Sequence, residues 1–150
     1  MGVMGDEPSC SAFLVRQAWL SMRSVVGDAL SAHGISVAQY AALMLLAEQP
    51  GMSAAHLARC MASARQSTNE LLTGLERAGL VDRRPHETDR RAHQVWLTDA
   101  GIERLAAAAP VVRGVEKRLS EGFEPEELAV VQAWLTRMVA AAPDATDGHS

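Results

Sequence analysis

Residues 53–97 read SAAHLARCMASARQSTNELLTGLERAGLVDRRPHETDRRAHQVWL, and this stretch decides the fold. Ser53 is placed to cap a short helix from Ala54 to about Cys60, with Leu57 as its inward residue. A break at Met61-Ala62 leads to Ser63, a second N-cap candidate. The helix that follows, from about Ala64 to Ala78, turns Leu71, Leu72 and Leu75 inward and stops at Gly79. Two short helices joined by a tight turn have helix-turn-helix form. Leu80 to Pro85 and His93 to Leu97 then flank a charged loop with β-forming runs. Their pattern predicts a hairpin whose second strand sets Val95 and Leu97 on one face. A hairpin directly behind a helix-turn-helix is a wing.

Outward from this module the chain reads as helix on both sides. Cys10 to about Ala32 carries Leu14, Ala18, Met22, Val25 and Ala29 at three- and four-residue steps. Phe13, Trp19 and Leu20 widen its apolar face beyond one stripe, the pattern of a helix with a second partner such as another subunit. His33-Gly34 closes it, with Gly34 as a left-handed cap. Ser36 opens a helix bearing Val37, Tyr40, Ala41, Met44 and Leu45, which ends before Pro50-Gly51. Beyond the wing, Thr98 caps a helix with Ile102, Leu105, Val112 and Leu119 on one stripe, which Pro110 is expected to kink. The last helix starts near Pro125, with Glu126 and Glu127 at its positive end and Leu128, Val131, Leu135 and Met138 as its stripe. The predicted class is mainly α with a small β-wing (α+β).

Composition narrows the function classes. At 150 residues the chain can bury a core without disulfides or a metal. With 48% hydrophobic and 21% charged residues it is not a disordered tail. It holds no apolar run long enough to cross a bilayer, and its acidic start lacks the features of a signal peptide. Cys10 and Cys60 form no disulfide framework, so the expectation is a cytoplasmic protein with free thiols and no membrane partner. The net charge of −4 hides an asymmetry. Residues 53–97 hold seven arginines against five carboxylates, for +2, while the remainder carries −6. A domain that turns one face to a polyanion while the rest repels it has this pattern.

At this point the sequence resembles the MarR-type winged-helix transcriptional regulators over about residues 10–142. The motif carrying the likeness is Leu75-Glu76-Arg77-Ala78-Gly79-Leu80-Val81-Asp82-Arg83-Arg84, then Asp89-Arg90-Arg91, then Leu97-Thr98-Asp99-Ala100-Gly101. Weaker echoes are Ser36 to Tyr40 and Phe123 to Leu128. The resemblance implies a homodimer joined through its first and last helices. The expected layout is a flexible N-terminus over 1–9, a single domain over 10–142 and a flexible tail over 143–150. Within the domain, 10–34 and 99–142 supply the dimerisation helices and 36–98 the winged helix-turn-helix. Two recognition helices related by a two-fold imply double-stranded DNA with a pseudo-palindromic operator, its half-sites about 10 bp apart. The family function implied is a regulator, most often a repressor, whose DNA affinity a small aromatic or amphipathic effector modulates.

A helix-turn-helix lays the start of its second helix in the major groove. Ser63, Arg65, Gln66, Ser67, Thr68 and Asn69 are the short polar groups and donors expected there. Arg65 suits a guanine, and Gln66 or Asn69 an adenine. Ser63 and Ser67 suit phosphates, with a cap as the other role of Ser63. In the wing, Arg91 matches the family position that enters the minor groove, and Arg90 suits a phosphate. Arg83 and Arg84 either flank the backbone or form a solvated charge run. Asp89 is expected to pair with an arginine and hold the loop. Glu70 departs from the family pattern by placing an acid on the recognition helix.

Trp19, Met22, Tyr40 and Met44 are the candidate effector-pocket residues, with Tyr40 foremost because a buried phenol needs a partner. Cys10 lies near the reactive cysteine of peroxide-sensing relatives, which gives a thiol-based redox sensor as an alternative reading. Aligned on Ile35 to Tyr40, however, it falls about half a turn early. A protein-interaction module with weak DNA binding is the other alternative, supported by Glu70 and the acidic flanks. Cys60 is expected to be a small core residue. His33, His56, His86, His93 and His149 show no ligand spacing, and no catalytic constellation is present, so neither metal, cofactor nor enzyme activity is expected.

Overall fold

The computed structural model describes residues 10–89 and 93–141. The expectations for both termini, for Ala142, and for Arg90 and Arg91 lie outside that range. The order of elements is α1 (Ser11–Ser31), α2 (Val37–Glu48), β1 (Met52–Ser53), α3 (Ala54–Cys60), α4 (Arg65–Arg77), β2 (Val81–Pro85), β3 (His93–Leu97), α5 (Asp99–Leu119) and α6 (Pro125–Ala141).

Local chemistry explains most boundaries. Gly34 and Gly79 adopt φ of +67° and +72°, the left-handed backbone expected where α1 and α4 stop. At the start of α2, Ser36 accepts from the Gln39 backbone N–H at 3.1 Å, and the Gln39 side chain accepts from the Ser36 N–H at 2.9 Å. These two bonds form a complete capping box. Ser53 caps α3 by accepting from the His56 N–H at 3.1 Å. The turn into α4 departs from expectation. Ala62 takes a left-handed φ of +48°, and the N-cap is Ala64, without a side-chain cap, so Ser63 does not cap the helix. The helix α5 continues through Pro110.

The sheet holds one strand more than the sequence suggests. Its order is β1-β3-β2, antiparallel throughout, with Val81 opposite Leu97, Arg83 opposite Val95 and Met52 also opposite Val95. Two residues are too few to show alternation, so β1 leaves no pattern in the sequence. Val81 and Val95 face the core, as does Met52. Leu97 packs against it from the edge. The core gathers Val26 and Leu30 of α1, Leu43 and Leu46 of α2, Leu57 of α3, Leu72 and Leu75 of α4, and Ala108, Val112 and Val115 of α5. The last helix, α6, has no buried residue at all.

The family-like run Leu97-Thr98-Asp99-Ala100-Gly101 has a physical role in this packing. The Thr98 hydroxyl donates to the Gly79 carbonyl at 2.6 Å and accepts from the Gly101 N–H at 3.1 Å, while the Thr98 N–H donates to the Leu80 carbonyl at 3.1 Å. Gly101 is buried, and a Cβ there would collide with the Leu80 carbonyl oxygen. Gly101→Ala should therefore lower stability by about 1–3 kcal/mol through overpacking. A Cβ at Gly74, in the middle of α4, would meet nothing within 4 Å. Gly74→Ala should raise stability by up to about 1 kcal/mol through helix propensity. Thermal midpoints at one fixed protein concentration check both, and equal effects at the two sites would refute the packing account.

Candidate nucleic-acid interface

The amphipathic character of α4 orients it. Thr68, Leu72 and Leu75 form its buried face at four- and three-residue steps. The opposite face carries Arg65, Gln66, Asn69, Glu70, Thr73, Gly74 and Arg77, which together line a shallow open groove. Of the residues expected at DNA, Arg65, Gln66 and Ser67 are exposed, whereas Ser63 and Asn69 are half-buried. Thr68 is corrected: it is 1% exposed, because it shares the face of Leu72 and Leu75, and it points away from any ligand in the groove. With Ala64 offering no side chain to the first N–H groups of α4, that helix end remains open to an anion.

The two arginines at the wing base divide by strand alternation. Arg83 shares the inner face of β2 with Val81 and reaches α4. Its guanidinium donates to the Asn69 carbonyl at 3.0 Å and to the Thr73 hydroxyl at 3.2 Å, and the Thr73 hydroxyl donates in turn to the same carbonyl at 2.8 Å. Arg83 Nε lies 3.7 Å from Glu76, close enough for an ion pair but too long for a hydrogen bond. Arg83 is thus a strut between wing and recognition helix, neither a phosphate contact nor a solvated charge. Arg84 points to the other face, 3.8 Å from Asp82 and with its guanidinium 5.4 Å from the Trp96 ring centre. The exposed Arg84 therefore stays available to a polyanion. Asp89 is exposed at the wing tip.

On α4 itself, Gln66 Nε2 donates to the Glu70 carboxylate at 3.3 Å. Four-residue spacing puts the two side chains side by side on the outward face.

A second cleft, about 1010 Å³ in volume, lies between α1, α2 and the turn that enters α4. Trp19 and Met44, two of the candidate effector-pocket residues, line it, together with Arg23, Val37, Leu45, Cys60 and Met61. Met22 and Tyr40 do not line it and are corrected. Trp19, Arg23, Gly27 and Ser31 form the wall of α1 at four-residue steps, and Met22 lies off that stripe and packs on the core. Tyr40 lies at the margin of the Val37-Ala41-Met44 face of α2, packs on the core and turns towards α5. Burial chiefly raises its phenol pKa, the Glu116 carboxylate adds to this, and Arg113 opposes it. Cys60 is corrected too: it is exposed on the cleft wall, turned off the face of Leu57 and Ala58. Cys10 is exposed at the N-cap of α1. Among the described residues no group of three or more His, Cys, Asp or Glu side chains could hold a metal, and no helix is long and apolar enough to cross a membrane.

Comparison with known proteins agrees with this geometry. The MarR family model matches residues 33–92. The HTH-type transcriptional repressor Rv2887 of Mycobacterium tuberculosis is 32% identical over 119 residues, spanning 79% of this chain and 84% of the relative. Transcriptional regulator HosA of Escherichia coli is 31% identical over 101 residues, spanning 67% of this chain and 75% of the relative. Among solved structures, the transcriptional repressor CouR bound to a 23-mer DNA duplex superposes with a TM-score of 0.84 at 26% identity, covering 92% of this chain and 98% of that one.

Because Arg83 ties two elements through charged hydrogen bonds, Arg83→Met should lower stability by about 1–2 kcal/mol. Arg84→Ala should lower it by less than about 1 kcal/mol, since that side chain is exposed. Chemical denaturation of the two variants would separate the roles, and equal losses would show that Arg83 is not the strut.

Proposed function

The chain belongs to the MarR family of transcriptional regulators, and on that premise we propose that it is a homodimeric, sequence-specific DNA-binding repressor whose affinity a small effector adjusts. The observation that carries this reading is the outward face of α4, where Arg65, Gln66 and Asn69 stand clear of the core beside an uncapped helix start. Arg65 is exposed and, among the described residues, has no ion-pair or hydrogen-bond partner to restrain it from a guanine edge. Ser67 contacts phosphate, as does Ser63 from the end of the turn, and Asn69 reads a base edge. Arg84 tracks the backbone from the wing base. Arg90 and Arg91, which the family resemblance assigns to phosphate and minor groove, complete the footprint, with Asp89 shaping their loop.

The dimer follows from helix energetics. A 17-residue helix with no buried residue has little within its own chain to hold it in place. Val131, Trp134, Leu135 and Met138 are exposed on α6, as are Phe13, Leu14 and Leu20 on α1. A second copy packed against both helices buries these side chains, and its two-fold axis sets the pseudo-palindromic operator. The effector occupies the cleft between α1, α2 and the α3–α4 turn, where occupancy moves α4 relative to the dimer helices. Arg23 is the sole charged side chain among the described lining residues, so an aromatic or amphipathic carboxylate fits that wall best.

Gel shifts on DNA upstream of the protein's own gene, extended to sites selected from random sequence, test the reading. A dimer should bind specifically, and its affinity should fall linearly on a log–log plot against salt concentration. Arg65→Ala should cost about 1–3 kcal/mol of specific binding while leaving nonspecific binding nearly intact. Failure to enrich any DNA site would overturn the reading in favour of a protein-interaction module. Trp134→Asp should give a monomer by analytical ultracentrifugation, and a variant that remains dimeric would remove α6 from the interface.

A further inference from the structure

Glu70 is the one feature of the outward α4 face that a phosphate-binding surface does not explain. It is an exposed carboxylate in the same groove as Arg65, Asn69 and Arg77. Neither arginine forms an ion pair with it among the described residues, so its charge remains uncancelled on a surface that meets a polyanion. Its hydrogen-bond partner is neutral: the Gln66 amide, 3.3 Å away.

That hydrogen bond fixes what both side chains can do. A carboxylate only accepts, so Gln66 must turn its NH2 towards Glu70, which settles the orientation of the amide. One amide hydrogen is occupied, and the Gln66 carbonyl and the Glu70 carboxylate remain as neighbouring acceptors. In the major groove the complementary donors are the exocyclic amines of cytosine and adenine, while guanine and thymine present carbonyl oxygens that would repel them. Adenine also carries N7, an acceptor beside its amine that a carboxylate disfavours, whereas cytosine presents its amine alone.

We propose that Glu70, oriented by Gln66, reads the N4 amine of a cytosine once in each half-site. This rests on the DNA-binding reading above and gives the acid a role in specificity. It also constrains the base contacts: Gln66 keeps its carbonyl and one amide hydrogen, so it can read a neighbouring base only in the orientation that its bond to Glu70 allows, while Asn69 is bound by no such side-chain tie. The carboxylate weakens binding to DNA that lacks the cytosine, because an unsatisfied anion then faces the groove, so it discriminates by repulsion as well as by contact.

Parallel site selections from random DNA with wild-type protein and with Glu70→Gln test the proposal, followed by titrations on the wild-type site and on random duplex. The wild type should enrich a two-fold-related motif with one invariant C·G pair per half-site. Glu70→Gln, an exposed isosteric change, should lose that preference and bind the wild-type site roughly 5- to 150-fold more weakly. Its affinity for random duplex should be unchanged or higher, because a repulsive charge has been removed. If the wild type enriches a motif and Glu70→Gln enriches the same one with equal affinity, cytosine reading is wrong and the DNA-binding assignment stands. If the wild type enriches no motif, the DNA-binding reading fails and this inference fails with it.

Discussion

The arrangement of this molecule depends on a single threonine at the joint between wing and helix. Thr98 bonds at once to the Gly79 carbonyl, the Leu80 carbonyl and the Gly101 N–H. Those three contacts belong to the end of the recognition helix, the entry to the first wing strand and the first turn of α5. Buried Gly101 lets α5 lie against the Leu80 backbone, which a side chain would prevent. The direction of α5 is therefore set at the point where the winged module closes.

Arg83 extends the same logic to the other side of the wing. Val81 and Val95 anchor the base of the hairpin in the core and β1 pairs with β3, while the Arg83 bonds to Asn69 and Thr73 add a direct tie between β2 and α4. With them, wing and recognition helix move as one body, so that one displacement alters groove and wing contacts together. The cleft against α1, α2 and the Ala62 turn is well placed to produce such a displacement. Met61, Ala62 and Ser63 form both its wall and the lead-in to α4. Ala62 sits in left-handed backbone that a non-glycine residue adopts at some cost, so the turn is a natural point of yield.

Much of the architecture was legible because it rests on period and punctuation. The leucine spacing of α4, the glycines after α1 and α4, Ser36 and Ser53 at helix starts, and the Val95–Leu97 face of the wing all appear where sequence rules put them. The misses have local causes. The strand β1 is two residues long and exists because β3 has an edge to pair. Thr68 reads as a polar groove residue, yet its position four before Leu72 puts it inside. Tyr40 and Met22 stand three residues from Val37 and Trp19, so spacing alone does not separate them from the cleft; both turn to the core at its margin, which only the packing of α1 and α2 reveals. Alternation from Val81 already implied that Arg83 turns inward and Arg84 outward. Arginine was read by its charge, whereas its position on the strand governs its role.

The charge asymmetry takes on its full meaning under the proposed dimer. One chain shows a modestly basic central module between acidic flanks, too weak a field for tight binding on its own. In the proposed dimer two such modules would share one duplex, so that phosphate contacts would add along the groove. Under that geometry a carboxylate such as Glu70 is tolerable. On the proposed reading, phosphate contacts of two subunits would supply the affinity, and the acid on α4 would restrict it to sites that satisfy the carboxylate. A monomer bearing the same acid would hold DNA more weakly, so the proposed roles of the exposed apolar face of α6 and of the acid on α4 depend on each other.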